Sequence, residues 1–151
     1  MTYTHFNEGE VQVFEAGAYS TNFRSCLFLA IWTPTTARFV AAHARALTND
    51  KNSPHFLRGD FTEYGRAFIL DHGVHLGNVS RRAIELLPEA EYMKIIASTR
   101  DTLEPVLATV PDEINLAFRI VGKDLKRIYF EDGRARIVYC EGPKRGQEEL
   151  F

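Results

Sequence analysis

The residues best suited to chemistry crowd into one short run, Leu70-Asp-His-Gly-Val-His-Leu-Gly-Asn-Val-Ser-Arg-Arg82, which carries a carboxylate, two imidazoles, two glycines and a hydroxyl. A His-x-x-His pair such as His72 and His75 can supply two ligands to one metal ion if the chain curls back. Asp71 would then be an oxygen ligand, with His43 or His55 arriving from elsewhere. That spacing is not one of the zinc-specific ones, so no metal or other cofactor is expected from it. The same residues also have the make-up of a turn feeding a helix. Gly73 and Gly77 relax the turn, Asn78 or Ser80 supplies a cap oxygen and both arginines are solvated, while the competing expectation brings backbone amides of Gly73, Gly77, Asn78 and Ser80 to an anion at the helix start, with Arg81 or Arg82 adding charge.

For acid–base work the candidates are Glu63, Asp71, His72 and His75. Nucleophilic chemistry is disfavoured. Cys26 and Cys140 fall in apolar runs where a thiol is usually a small buried hydrophobe, and no Gly-x-Ser-x-Gly elbow occurs.

The elements that must position these groups follow from periodicity. Glu10 to Gly17 alternates as a half-exposed strand, and Phe23 to Trp32 is apolar almost throughout, as in a strand buried on both faces. Thr33-Pro34 looks like a helix start, and Ala37, Val40, Ala44 and Leu47 recur at helical spacing. Arg66 to Leu70 suits a central strand, and a helix is expected from Ser80. Pro88, Glu89 and Glu91 suggest a fresh helix running through Tyr92, Ile95, Ile96 and Leu103, to be broken or kinked by Pro105. Ile114 to Val121 reads as a strand. Asp132-Gly133 is a hairpin signal between two alternating runs, although Leu125, Ile128 and Tyr129 also fit a short helix. The tail from Gly142 is polar and expected to fray or form a last helical turn.

A chain of 151 residues, 45% hydrophobic and 25% charged, is expected to be one globular domain over 1–151. Its net charge of −2 provides no general attraction for nucleic acid. Lys123, Lys126, Arg127, Arg134 and Arg136 could gather on one hairpin face beside Tyr129 and Tyr139, but nucleic acid remains a disfavoured partner. The first ten residues lack the basic and apolar parts of a signal peptide, and no apolar run approaches the about 20 residues of a membrane span. A cytoplasmic address is expected.

The order strand, strand, helix, strand, helix, strand resembles the SpoIIAA-like or STAS domains. The resemblance is carried by the strand ending Ala30-Ile-Trp32, the helix after Thr33-Pro34, and Arg66-Ala-Phe-Ile-Leu-Asp71 feeding the helix at Ser80. It implies an α/β fold, with α+β as the alternative, in which a mixed central sheet of about five or six strands is flanked by helices. It also implies a serine modified by a partner kinase. Ser80 in Asn78-Val-Ser-Arg-Arg82 is the nearest position, without the family's paired serine or following glycine.

The expected function is a non-enzymatic regulatory or interaction domain that binds a protein partner or small ligand through Asp71, His72, His75, Asn78, Ser80 and Arg81. A homo-oligomer is left open. The competing expectation is a small-molecule enzyme or metal-dependent protein using Asp71, His72 and His75.

Overall fold

The computed structural model describes residues 2–46 and 73–151. In chain order its elements are Thr4–His5 (β1), Val11–Phe14 (β2), Ala18–Phe23 (β3), Leu27–Trp32 (β4), Phe39–Ala44 (β5), Val79–Leu86 (α1), Tyr92–Ala97 (β6), Arg100–Leu107 (α2), Asn115–Ile120 (β7), Lys126–Glu131 (β8), Arg134–Tyr139 (β9) and Glu148–Leu150 (β10). The strands make two mixed five-stranded sheets, ordered β1-β3-β8-β9-β10 and β2-β5-β4-β6-β7. In each sheet one edge pair is parallel, β1 with β3 and β6 with β7, and the other pairings are antiparallel.

Strand β4 lies at the centre of the second sheet, and its two faces feed two cores. Side chains alternate across a strand, so Leu27, Leu29 and Ile31 point one way and Phe28 and Ala30 the other. The first set packs with Val79, Ala83 and Leu87 of the α1 region and Leu103 and Val106 of α2. The second packs across the gap between the sheets with Phe6, Phe14, Phe39, Ile128, Phe130 and Ile137. Helices, sheet and second sheet thus form three layers.

This architecture corrects the expected α/β fold with a single sheet flanked by helices: the described residues form a β-rich, two-sheet structure with two short helices. Two misread segments account for most of the difference. The helix expected after Thr33-Pro34 is a turn followed by β5, all six of whose residues are buried between β2 and β4. A strand covered on both faces shows no alternation, so Phe-Val-Ala-Ala-His-Ala cannot be told from a buried helix by periodicity, and its two ladders of hydrogen bonds override the helix preference of alanine. The helix expected from Pro88 is likewise strand β6, paired antiparallel with β4 and parallel with β7.

Helix α2 starts only at Arg100, where the Thr99 hydroxyl accepts from the Thr102 amide, and it carries Pro105 in its last turn. The polar tail supplies β10, which pairs with β9.

The strands expected near Val11, over β4 and over Ile114 to Val121 are present as β2, β4 and β7. At Asp132-Gly133 both residues adopt positive φ, 48° and 74°, so this is the hairpin and not the short helix. The strand expected over Arg66 to Leu70 lies outside the described residues.

Phe130 is fully buried and its ring meets those of Phe28, Trp32 and Phe39 across the intersheet gap. Phe130→Ala is expected to cost about 3–5 kcal/mol in urea unfolding, the usual range for deleting a core phenyl ring. A loss under about 1 kcal/mol would contradict the tight intersheet packing.

Candidate active site

The described part of the expected site, residues 73–80, is mostly buried. Asp71 and His72, like Glu63, lie outside the described residues. His75 is buried: its amide donates to Asn78 Oδ1 at 2.9 Å and its Nδ1 accepts from the Gly77 amide at 3.0 Å. Asn78 stands at the start of α1, but its side chain makes no cap bond and instead donates to the Gly73 carbonyl at 3.0 Å. Ser80 is 2% exposed and its hydroxyl meets that of Thr109 at 2.5 Å, so a kinase has no access to it in this fold. Arg81 is exposed and pairs with Glu85 one turn along the helix. These residues build the turn and anchor the helix.

In the basic group, Lys126 turns inward to the Gly122 carbonyl while Arg136 pairs with Glu148, which divides the expected cationic face.

A different set of residues does converge. Strand β3 contains a bulge between Ser20 and Phe23, where three steps along β3 match two along β8 and Asn22 takes φ 64°. The extra residue resets the alternation, so that Ser20 and Phe23, which would otherwise face opposite ways, are both buried on the intersheet side. Both reach His43 on β5 of the facing sheet. Ser20 Oγ lies 2.8 Å from His43 Nδ1, and the Phe23 ring stacks on the imidazole with centroids 3.8 Å apart. Ser20 Oγ also donates to the Phe6 carbonyl at 2.7 Å. A hydroxyl has one proton, so Nδ1–H must be the donor to Ser20, which leaves Nε2 with its lone pair free. Nε2 is buried and has no hydrogen-bond partner among the described residues.

Cys26 sits in the short crossing from β3 to β4, half-buried, on the same face of the chain as Phe28, whose register partner is His43. Its thiol donates to Glu8 Oε1 at 3.2 Å. One His43 ring nitrogen, Cys26 Sγ and a Glu8 carboxylate oxygen all lie within 4.8 Å of one another. Glu8 is placed by a tight turn in which the Gly9 amide donates to the His43 carbonyl at 2.7 Å and His43 N donates to the Glu10 carbonyl at 3.0 Å. Gly9 has φ +84°, and a Cβ there would stand 2.8 Å from Arg45 Nε, so the turn needs glycine. Arg45 reaches back to the Glu8 carbonyl at 3.3 Å.

The charges around this cluster have clear signs. Burial, reinforced by the nearby charges of Arg45 and His5, lowers the His43 pKa to about 3, so the imidazole is neutral at ordinary pH. Burial also raises the Cys26 thiol far above its usual range, helped by the Glu8 charge and hydrogen bond and opposed by Arg45 and a backbone hydrogen bond at Arg24. The resting pair is therefore neutral thiol and neutral imidazole, with Glu8 holding the thiol proton in place.

Ser20, Cys26, His43 and Glu8 were not singled out together by the sequence. Cys26 reads there as a structural thiol, and His43 is assigned to a helix. No protein-family model matches the chain, and comparison with curated proteins finds no match either. No helix among the described residues is long and apolar enough to cross a membrane.

The depressed His43 pKa has a stability consequence. Between the unfolded value near 6.5 and the folded value near 3 the unfolded chain binds the extra proton, so stability falls as pH drops through that window. The slope from this one group approaches about 1.4 kcal/mol per pH unit. His43→Gln is expected to flatten the stability profile between pH 6 and 4, read by urea midpoints across about five pH values. An unchanged slope would mean that His43 is not buried in its neutral form.

Proposed function

We propose that the protein is a cysteine-dependent hydrolase of carbonyl compounds, amides or esters, with Cys26 as nucleophile, His43 as general base and Ser20 as the residue that positions the imidazole. The observation that supports this reading most strongly is the Ser20–His43 bond at 2.8 Å, which fixes the tautomer and leaves Nε2 without a partner among the described residues, while a ring nitrogen of His43 lies within 4.8 Å of Cys26 Sγ. A nucleophile beside a base that is itself oriented by a third group is the arrangement covalent catalysis requires.

In the forward step His43 Nε2 accepts the thiol proton as sulfur attacks the carbonyl carbon. The tetrahedral intermediate collapses with cleavage of the C–N or C–O bond, and the imidazolium returns the proton to the leaving amine or alcohol. Water then attacks the thioester with His43 again as base, releasing the acid and restoring the thiol. Glu8 is the exposed member of the cluster, so a substrate arriving from solvent meets it first. Its displacement removes the carboxylate charge and the hydrogen bond that add to burial in keeping sulfur protonated. The non-enzymatic partner-binding reading rests on Arg81 as the one exposed side chain among the described residues first assigned to it, and it is the less supported of the two.

Acylation by p-nitrophenyl acetate tests the proposal, read as a nitrophenolate burst and by peptide mass spectrometry, with Cys140 as the internal control. Cys26 is expected to acylate preferentially. Cys26→Ala should abolish the burst, and His43→Gln should slow it by roughly 10²–10⁴-fold, the usual contribution of a general base. Ser20→Ala is expected to act in the same direction with a smaller loss. Glu8→Gln should move the pH profile of acylation toward lower pH, because it removes a group that raises the thiol pKa. Acylation of Cys26 no faster than that of Cys140, or indifferent to His43, would rule out the mechanism.

A further inference from the structure

The same cluster carries a second chemistry, which rests on the reading of Cys26 as the reactive thiol. We propose that Cys26, His43 and Glu8 form a zinc(II) site whose occupancy reversibly silences the nucleophile. One sulfur, one imidazole nitrogen and one carboxylate oxygen within 4.8 Å of one another make up a donor set suited to zinc. Ligand atoms around a tetrahedral zinc stand roughly 3.3–3.6 Å apart, given metal–ligand lengths of about 2.0–2.3 Å. Sulfur and the Glu8 oxygen already lie at 3.2 Å, and Glu8 is exposed and free to adjust. The remaining separations, none above 4.8 Å, must close by up to roughly 1.5 Å around an ion.

Two further observations point to a ligand. His43 is 0% exposed, yet its Nε2 has no partner among the described residues, and a buried acceptor left in that state is costly unless something occupies it. Its other nitrogen donates to Ser20, the outer-shell contact that fixes the tautomer and orientation of metal-binding histidines. Three protein ligands leave a fourth position, toward Glu8 and solvent, for water. Binding expels the thiol proton to solvent and converts Cys26 to a zinc-bound thiolate, which is no longer available to attack a carbonyl. Arg45, close enough to act on both Cys26 and His43, repels the cation and weakens the site relative to an all-cysteine one. Reversible occupancy, not permanent structural zinc, follows from that balance.

Titration of the metal-free full chain with zinc, followed by calorimetry and by iodoacetamide labelling of each cysteine, decides the matter. One equivalent is expected to bind and to slow Cys26 labelling at least tenfold while leaving Cys140 unchanged, with full recovery on adding EDTA. Cobalt(II) should give a thiolate-to-metal absorption band that Cys26→Ser removes. Glu8→Gln should weaken zinc binding by about tenfold or more, and as an exposed position it also guards against loss of fold in the His43→Gln variant. Zinc binding that survives both Cys26→Ser and His43→Gln, or Cys26 labelling that is unaffected at saturating zinc, overturns the proposal. The two readings fail separately. A His43-dependent acylation burst without zinc binding refutes the zinc site alone. Zinc bound at Cys26 with no burst in the metal-free chain supports the metal site and removes the hydrolase.

Discussion

The hydrogen bond between Ser20 and His43 joins the two sheets, and the geometry of the cluster depends on it. Ser20 belongs to β3 in one sheet and His43 to β5 in the other, and the bond crosses an otherwise apolar interior. A polar contact in such surroundings is stable only if each member is satisfied, because an unpaired buried group costs more than a bond contributes. Ser20 meets this demand by donating to the Phe6 carbonyl and accepting from Nδ1–H. His43 meets it on one side only. The asymmetry distinguishes the cluster from a structural polar network, since a purely structural histidine in the core would be expected to have both nitrogens bonded.

Packing sets the distance over which this bond forms. Facing sheets sit about 10 Å apart, a spacing maintained by the side chains between them. Here Phe28, Phe39 and Phe130 fill the gap, with Phe14 stacked on Phe39 and Phe6 against Phe14. Phe23 closes the end of this aromatic array and covers one face of the His43 ring. The bulge in β3 is what allows two residues of opposite alternation to serve one histidine, one by hydrogen bond and one by stacking. A regular strand would have placed Phe23 on the outer face and exposed the imidazole.

Part of this was legible in the sequence. The alternation at Val11 and Val13, the unbroken apolar run of β4 and the Asp132-Gly133 turn each announce their structure through local chemistry that tertiary context did not alter. Strand β5 did not, because burial on both faces erases the period-2 signal and alanine fits either conformation. The cluster around His43 was hidden by that one segment. With Phe39 to Ala44 on a helix, His43 has no relation to Cys26. With it as a strand hairpinned to β4, the pairing of Trp32 with Phe39 puts His43 opposite Phe28, and Cys26 two residues away on the same face. The hint available was the polar, proline-containing stretch from Thr33 to Arg38, which suits a hairpin loop as well as a helix cap. Ser20 was harder to find, since a bulge that reverses facing cannot be read from alternation. Glu8 depends on a glycine turn whose partner, Arg45, is distant in sequence.

The position of each group in the cluster also divides the chemistry among them. Burial keeps His43 neutral, which makes its lone pair available at physiological pH but also makes it a weak base on its own. A proton moves to it readily only when negative charge develops on the adjacent sulfur, because the resulting imidazolium is then paired in a low-dielectric setting. Burial keeps the thiol protonated, and the facing Glu8 carboxylate adds to that effect. The neutral pair is thus held at rest by burial together with an exposed carboxylate. In the proposed hydrolase a substrate that displaces Glu8 would free the sulfur, whereas at the proposed zinc site the cation would recruit Glu8 and engage the sulfur, so the two readings use Glu8 in opposite ways.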